Sequence, residues 1–266
     1  MRQLLAIPDG SRIDPGKKAI FEIPLGYTYE RFTARVTGTA VAVGHINRVN
    51  VVMDGKRVIT FATLQRLFDF NKYYNRGVDT IGEFCLHFFR SEFYDLTYRR
   101  APGIGTQGLA TLTLEFEIDA TAPADIGIKL DARVTDDQPL GVFIKVLEYP
   151  TNAGVAGQLD ITKLPKGAFY QTFWFCKPDV SHVNIKVDDK DVINADKDVL
   201  TRDQKEASPI KRAPVVASYT VVDMVTDGDL AQALNTDIVE KWQVRPTLDT
   251  AGAMDVVIES LDRLEA

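Results

Sequence analysis

The sequence predicts an all-β protein built as two β-sandwiches in tandem, and three pairs of repeated segments predict it. The first pair is Ile46–Ile59 (INRVNVVMDGKRVI) and Val180–Ile193 (VSHVNIKVDDKDVI). Val49, Asn50, Asp54, Lys56, Val58 and Ile59 recur there as Val183, Asn184, Asp188, Lys190, Val192 and Ile193. Each copy alternates apolar residues, reaches Asp-Gly or Asp-Asp, and restarts, which is the pattern of two strands joined by a tight turn. Upstream, Pro24–Phe32 and Pro165–Phe173 both read P-x-G-x-x-Y-x-x-F. Downstream, Thr106–Glu115 and Thr250–Glu259 share a Thr-x-Gly opening followed by a strand-like run. The spacing differs from pair to pair, as it does when loops absorb the length changes. An internal repeat sets the architecture.

The elements follow in order. Lys18–Pro24 opens the first copy as a strand. Thr33–Val43 alternates and is rich in β-branched residues, with Gly38 suited to a bulge or a close approach. After the hairpin, Phe61, Leu64, Leu67 and Phe68 fall at helical spacing, so Thr63–Asn71 is expected to be a short helix. Glu83–Arg90 and Leu96–Arg99 read as strands. Thr111–Ile118 is the clearest of all, with Leu112, Leu114, Phe116 and Ile118 facing one way and Thr111, Thr113, Glu115 and Glu117 the other. Ile126–Thr135 adds one more strand. The polar run Asp136-Asp-Gln-Pro139 marks the boundary, giving domains 1–138 and 139–266.

In the second copy Gly141–Tyr149 is a strand and Asn152–Gly157 a loop. Phe169–Phe175 is so aromatic that both of its faces are expected to be buried. Asp196–Glu206 is helix or loop. Ala217–Val225 reads as a strand, Asp227–Leu234 as a short helix, and Ile238–Val244 and Asp255–Leu261 as the closing strands.

Composition narrows the function. The 45% hydrophobic and 26% charged fractions are those of an ordinary globular protein. A net charge of −6 argues against a nucleic-acid surface. No stretch has the length of a signal h-region or a membrane span, so the chain is expected to mature in a cytoplasm. Cys85 and Cys176 sit in apolar runs and read as buried, reduced thiols.

No catalytic motif emerges. Gly103-Ile-Gly-Thr-Gln-Gly108 matches G-x-G-x-x-G in letters, but a strand follows it where a phosphate site needs a helix N-terminus. His45, His87 and His182 lack metal-ligand spacing. Asp188, Asp189, Asp191, Asp196, Asp198, Asp223, Asp227 and Asp229 are dense enough to interest calcium, yet have no EF-hand spacing and read as solvated turn residues. Arg99-Arg100 and Lys211-Arg212 read as surface or interface pairs. The chain therefore offers no catalytic, cofactor-binding or metal-binding residue.

Taken together, Pro24–Tyr29, the hairpin Val49–Ile59, Leu64–Phe68 and Gly103–Thr106 followed by Leu112–Ile118 resemble the first jelly roll of the corticovirus-type double jelly-roll coat proteins. Phe173–Phe175, Val183–Ile193 and Asp227–Leu234 are similar to the second. The resemblance implies a double jelly roll with a few short helices and a major capsid protein without enzymatic activity. It further implies pseudo-hexameric homotrimers that tile an icosahedral shell around an internal membrane, as in a bacteriophage virion. The implied partners are neighbouring trimers and the minor membrane and vertex proteins, with no direct contact to nucleic acid. No cofactor is required, and calcium is implied at inter-subunit sites. The chain would be made in the host cytoplasm and end in the virion capsid. The competing reading is a two-domain jelly-roll protein that binds or hydrolyses glycans, for which Trp174 and Trp242 are the only aromatic candidates; both read as core.

Overall fold

The computed structural model describes residues 1–77, 79–162 and 164–264. Two compact units divide the chain: Met1–Ser91 with Leu96–Val146, and Glu92–Asp95 with Leu147–Ala266.

In the first unit the strands are β1 (Gln3–Ala6), β2 (Lys18–Glu22), β3 (Tyr27–Thr37), β4 (Ile46–Met53), β5 (Lys56–Phe61), β6 (Glu83–His87), β7 (Ile104–Gly105), β8 (Leu112–Ile118) and β9 (Gly127–Asp136). Helix α1 (Leu64–Tyr73) follows β5, and α2 (Leu96–Arg100) follows β6. One sheet runs β1-β9-β3-β6 with β7 beside β3, and the other runs β2-β8-β4-β5. This is a jelly roll. Its core comes from alternation: in β8 every second residue, Leu112, Leu114, Phe116 and Ile118, is buried while Thr113, Glu115 and Glu117 are not.

The second unit repeats the plan. Its strands are β10 (Phe143–Ala153), β11 (Gly157–Gln158), β12 (Phe169–Phe175), β13 (Val180–Val187), β14 (Lys190–Asp196), β15 (Thr220–Asp223), β16 (Leu234–Asn235), β17 (Trp242–Leu248) and β18 (Gly252–Asp262), with α3 (Lys197–Glu206) after β14. The sheets run β10-β18-β12-β15, with β16 beside β12, and β11-β17-β13-β14. Strand β10 begins in the first unit, where Val146 pairs in parallel with Ile59. Apart from Phe169, every residue of β12 is buried, as the aromatic run predicts. Burial of each large aromatic there contributes about 1.5–3 kcal/mol. Segment Glu92–Asp95 belongs to this unit: Phe93 packs with Val225 and Ala233, and the Tyr94 amide donates to the Gly228 carbonyl at 2.9 Å.

The repeat extends to the irregularities. Pairing skips Glu30 in β3 and Gln171 in β12, Asn47 in β4 and Ser181 in β13, Val58 in β5 and Val192 in β14. Such bulges bend and twist the strand that carries them. Both hairpins turn through two residues with positive φ, Asp54-Gly55 (47° and 77°) and Asp188-Asp189 (46° and 66°). That geometry matches the twist of the strands it joins and selects Asp and Gly.

Buried hydroxyls pin the corners. Tyr29 donates to the Pro24 carbonyl, and Tyr170 to the Pro165 carbonyl at 2.5 Å, which explains the Pro-to-Tyr spacing of the repeat. The Thr106 hydroxyl accepts from the Gly26 and Tyr27 amides (2.8 and 3.1 Å) and donates to the Tyr27 carbonyl. The Thr236 hydroxyl likewise accepts from the Gly167 amide and donates to the Ala168 carbonyl, both at 3.1 Å.

The structure corrects several expectations. Leu96–Arg99 is helical, within α2: Leu96, Thr97 and Tyr98 are all exposed, so no face alternates, and the Ala101 amide closes a turn on Thr97. The strand expected over 33–43 starts at Tyr27 and stops at Thr37, where Gly38 leaves the extended region at φ 135° and lies close against Asp125 and Ile126. Strand β6 ends at His87, short of Arg90. Asn152 and Ala153 finish β10 where a loop was expected. Residues 227–234 form only a single turn of 3-10 helix at Leu230–Gln232, since Leu234 is drawn into pairing with Tyr170. The strand expected from Ile238 starts at Trp242. The third repeat pair is out of register: Thr106 corresponds to Thr236 and β8 to β17, whereas Thr250–Glu259 runs into β18, the counterpart of β9.

Burial pushes the Tyr29 and Tyr170 hydroxyls well above the ordinary tyrosine range. The folded chain keeps them neutral, whereas the unfolded chain ionises them at about pH 10. Their contribution is therefore intact below about pH 10 and lost as pH rises above it. Tyr29→Phe and Tyr170→Phe are each expected to cost about 1–3 kcal/mol at neutral pH by leaving a proline carbonyl unpaired. Urea midpoints measured across alkaline pH should also fall less steeply in the variants than in the parent.

Candidate functional site

The repeated turn aspartates do structural work. Asp54 Oδ1 accepts the Ala110 and Thr111 amides, both at 2.8 Å, and Asp188 Oδ1 accepts the Glu240 and Lys241 amides at 3.0 and 2.9 Å. Each carboxylate thus grips the chain just before β8 or β17. A second pair lies at the opposite end of those strands. Asn47 donates to Asp119 at 2.7 Å, and Ser181 donates to Asp249 at 2.8 Å. Hydrogen bonds from the Thr121 hydroxyl and amide, with that of Asn47, push the Asp119 carboxyl down to about 2.

The other clustered carboxylates are dispersed among separate tasks. Asp191 accepts from Asn184 at 2.8 Å, a bond that lowers its pKa. Asp196 stands 2.8 Å from His182 Nδ1, and Asp198 sits in the first turn of α3, where the helix dipole favours an acid. Asp227 accepts from Gln232, and Asp229 caps the 3-10 turn through the Ala231 amide. Among the described residues no three His, Cys, Asp or Glu side chains gather to hold a metal.

Asp223 and Arg212 depart from the sequence reading. Expected at the surface, they form an ion pair at 2.9 Å with both side chains fully buried. Arg212 also donates to the carbonyls of Ile210 and Val225, and Asp223 accepts the Val225 amide. Every residue of β15 is buried, so the strand carries its terminal Asp223 into the interior, where the Arg212 guanidinium balances its charge.

The remaining candidates sort simply. Gly103–Gly108 contains β7 and leads to β8, and a side chain at position 105 would collide with the Gln138 and Pro139 carbonyls. The three histidines stand apart: His45 accepts the Ala42 amide, His87 pairs across β6 with Arg31, and His182 lies between Asp196 and Asn194. Cys85 and Cys176 are free and only half-buried. Trp174 and Trp242 are both core residues, at 3% and 8% exposure, and Trp242 packs on Tyr170 with ring centroids 4.9 Å apart. The glycan reading loses its aromatic platform. Among the described residues, no helix is long and apolar enough to cross a membrane.

Comparison with known proteins supplies the family. The model of the viral coat protein P2 N-terminal domain matches residues 5–135, and that of the C-terminal domain matches residues 143–264. The chain belongs to the viral coat protein P2 family. A curated relative, the major capsid protein P2 of Pseudoalteromonas phage PM2, is 32% identical over 137 residues. That alignment takes in 50% of this chain, and the chain spans about half the length of the relative, 49%. The crystal structure of the PM2 protein superposes with a TM-score of 0.92 at 20% identity, covering 100% of this chain and 98% of that one. The STIV MCP follows at 0.73 and 11% identity, covering 99% and 97%. The PBCV-1 virus capsid protein gives 0.64 and 9%, covering 100% and 97%. These structural likenesses establish the double jelly-roll capsid fold. As a viral coat protein, the chain has its place in the capsid of a virion.

Asp223→Ala removes a fully buried carboxylate from beside the Arg212 guanidinium, and a loss of about 3–5 kcal/mol is expected. Both tryptophans lie in that unit, so tryptophan fluorescence during urea unfolding measures the loss directly.

Proposed function

We propose that this coat protein is the major building block of a bacteriophage shell, assembling as homotrimers of six-sided outline that tile an icosahedron around an internal membrane. Two jelly rolls in one chain support the reading most directly. Three such chains place six similar sandwiches around a threefold axis, so neighbouring edges are nearly equivalent on all sides. Its work is recognition without catalysis. The titratable groups support this, since they are spent on turns, caps and buried pairs.

The partners of this reading are further copies of the chain and the minor membrane and vertex proteins of the particle, with no direct role for nucleic acid. Calcium enters at contacts between subunits, where carboxylates from two copies supply oxygens that the described residues of one copy do not gather in threes.

Light scattering on purified protein, with and without calcium, tests the proposal. A mass three times the 29.6 kDa of one chain is expected, rising further when calcium is added. A monomer under both conditions would refute it.

A further inference from the structure

The repeat gives two sheet edges that ought to be alike and are not. In the first unit β5 forms the outer edge of its sheet, and there Ile59 pairs in parallel with Val146 of β10. The bulge residue Val58 on that edge is 2% exposed, and Val146 is 1% exposed. In the second unit the counterpart of β5 is β14, with the same bulge at Val192. Among the described residues no strand pairs with the outer edge of β14, and Val192 is 45% exposed.

The missing partner can be named from the same repeat. Strand β10 is the outer neighbour of β18, and β1 is the outer neighbour of β9, so β1 and β10 are counterparts. The outer edge of β1 is also unpaired among the described residues, and its Leu4 is 80% exposed. Among the described residues, each chain therefore carries both halves of such a junction unpaired, β14 in the second unit and β1 in the first. A bare edge with apolar side chains is a template for strand addition.

Resting on the homotrimer reading, we propose that β1 of one copy adds in parallel beside β14 of the next, repeating between chains the junction that β10 and β5 make within one. Charge favours the same pairing. The first unit carries 18 Lys and Arg against 15 Asp and Glu, whereas the second carries 13 against 22. Arg2 precedes β1, and Asp189, Asp191 and Asp196 outnumber Lys190 along β14 and its turn. The contact is heterologous, one edge meeting a different edge, so it does not stop at a twofold dimer, and with the threefold rotation of the homotrimer it closes into a ring.

A cross-linking experiment tests this pairing. Leu4→Cys in a tagged chain and Val192→Cys in an untagged chain would be co-expressed with Cys85 and Cys176 replaced by serine. Oxidation should join tagged to untagged chains, reversibly by reductant, within isolated trimers. As a second arm, Val192→Asp should weaken trimer association at least tenfold while circular dichroism and tryptophan fluorescence of the separated chain stay unchanged. Trimers that give no mixed disulfide and tolerate Val192→Asp would overturn the β1–β14 pairing and leave the homotrimer intact. Monomeric parent protein would overturn the homotrimer and the pairing with it.

Discussion

Each sandwich depends on a carboxylate held in a left-handed turn. Asp54 and Asp188 reverse the chain between two strands and, with the same side chain, fix two amides at the entry of a third. The strand gripped in this way, β8 or β17, lies at the centre of its sheet, so its register is passed to both neighbours. A slip of one residue would turn the alternating apolar face of β8 towards solvent. The hydroxyls of Tyr29, Thr106, Tyr170 and Thr236 do for the other sheet what the aspartates do for this one. They satisfy backbone groups where the chain turns a corner and leaves the ladder.

These demands explain why the acids among the described residues do not gather into a metal-binding cluster. A jelly roll has long connections whose amides need acceptors, and aspartate supplies a short, charged one. Once Asp54, Asp119, Asp188 and Asp229 are committed to amides or hydroxyls, the density of carboxylates in the sequence no longer measures any affinity for a metal or a sugar. Function passes to the outer faces and edges of the sheets.

Much of this was legible from the sequence, for identifiable reasons. The Asp-Gly and Asp-Asp turns announce themselves because few residues accept positive φ, and β8 because its two faces differ so sharply. Jelly-roll connectivity came with the resemblance. Leu96, Thr97 and Tyr98 misled because they are strand formers standing exposed on a single helical turn. The fate of Arg212 and Asp223 was hidden because sequence reports charge and not burial. Thr106 and Thr236 were unreadable as partners, since one threonine at a distance carries no signal until the tertiary fold brings it to its amides. The misaligned third repeat has a related cause: two successive segments, β17 and β18, both read as strands, and pattern alone cannot say which one answers to β8.

The assignment of Glu92–Asp95 to the second unit makes the order of synthesis matter. A ribosome that has delivered the first 146 residues has produced Phe93 and Tyr94 but none of Val225, Gly228 or Ala233, which cover and anchor them. Until the last quarter of the chain emerges, this stretch stays an open apolar end. Residues 225–233 supply that cover, so a chain cut short before them has no means of closing this cluster, however completely its first sandwich has folded.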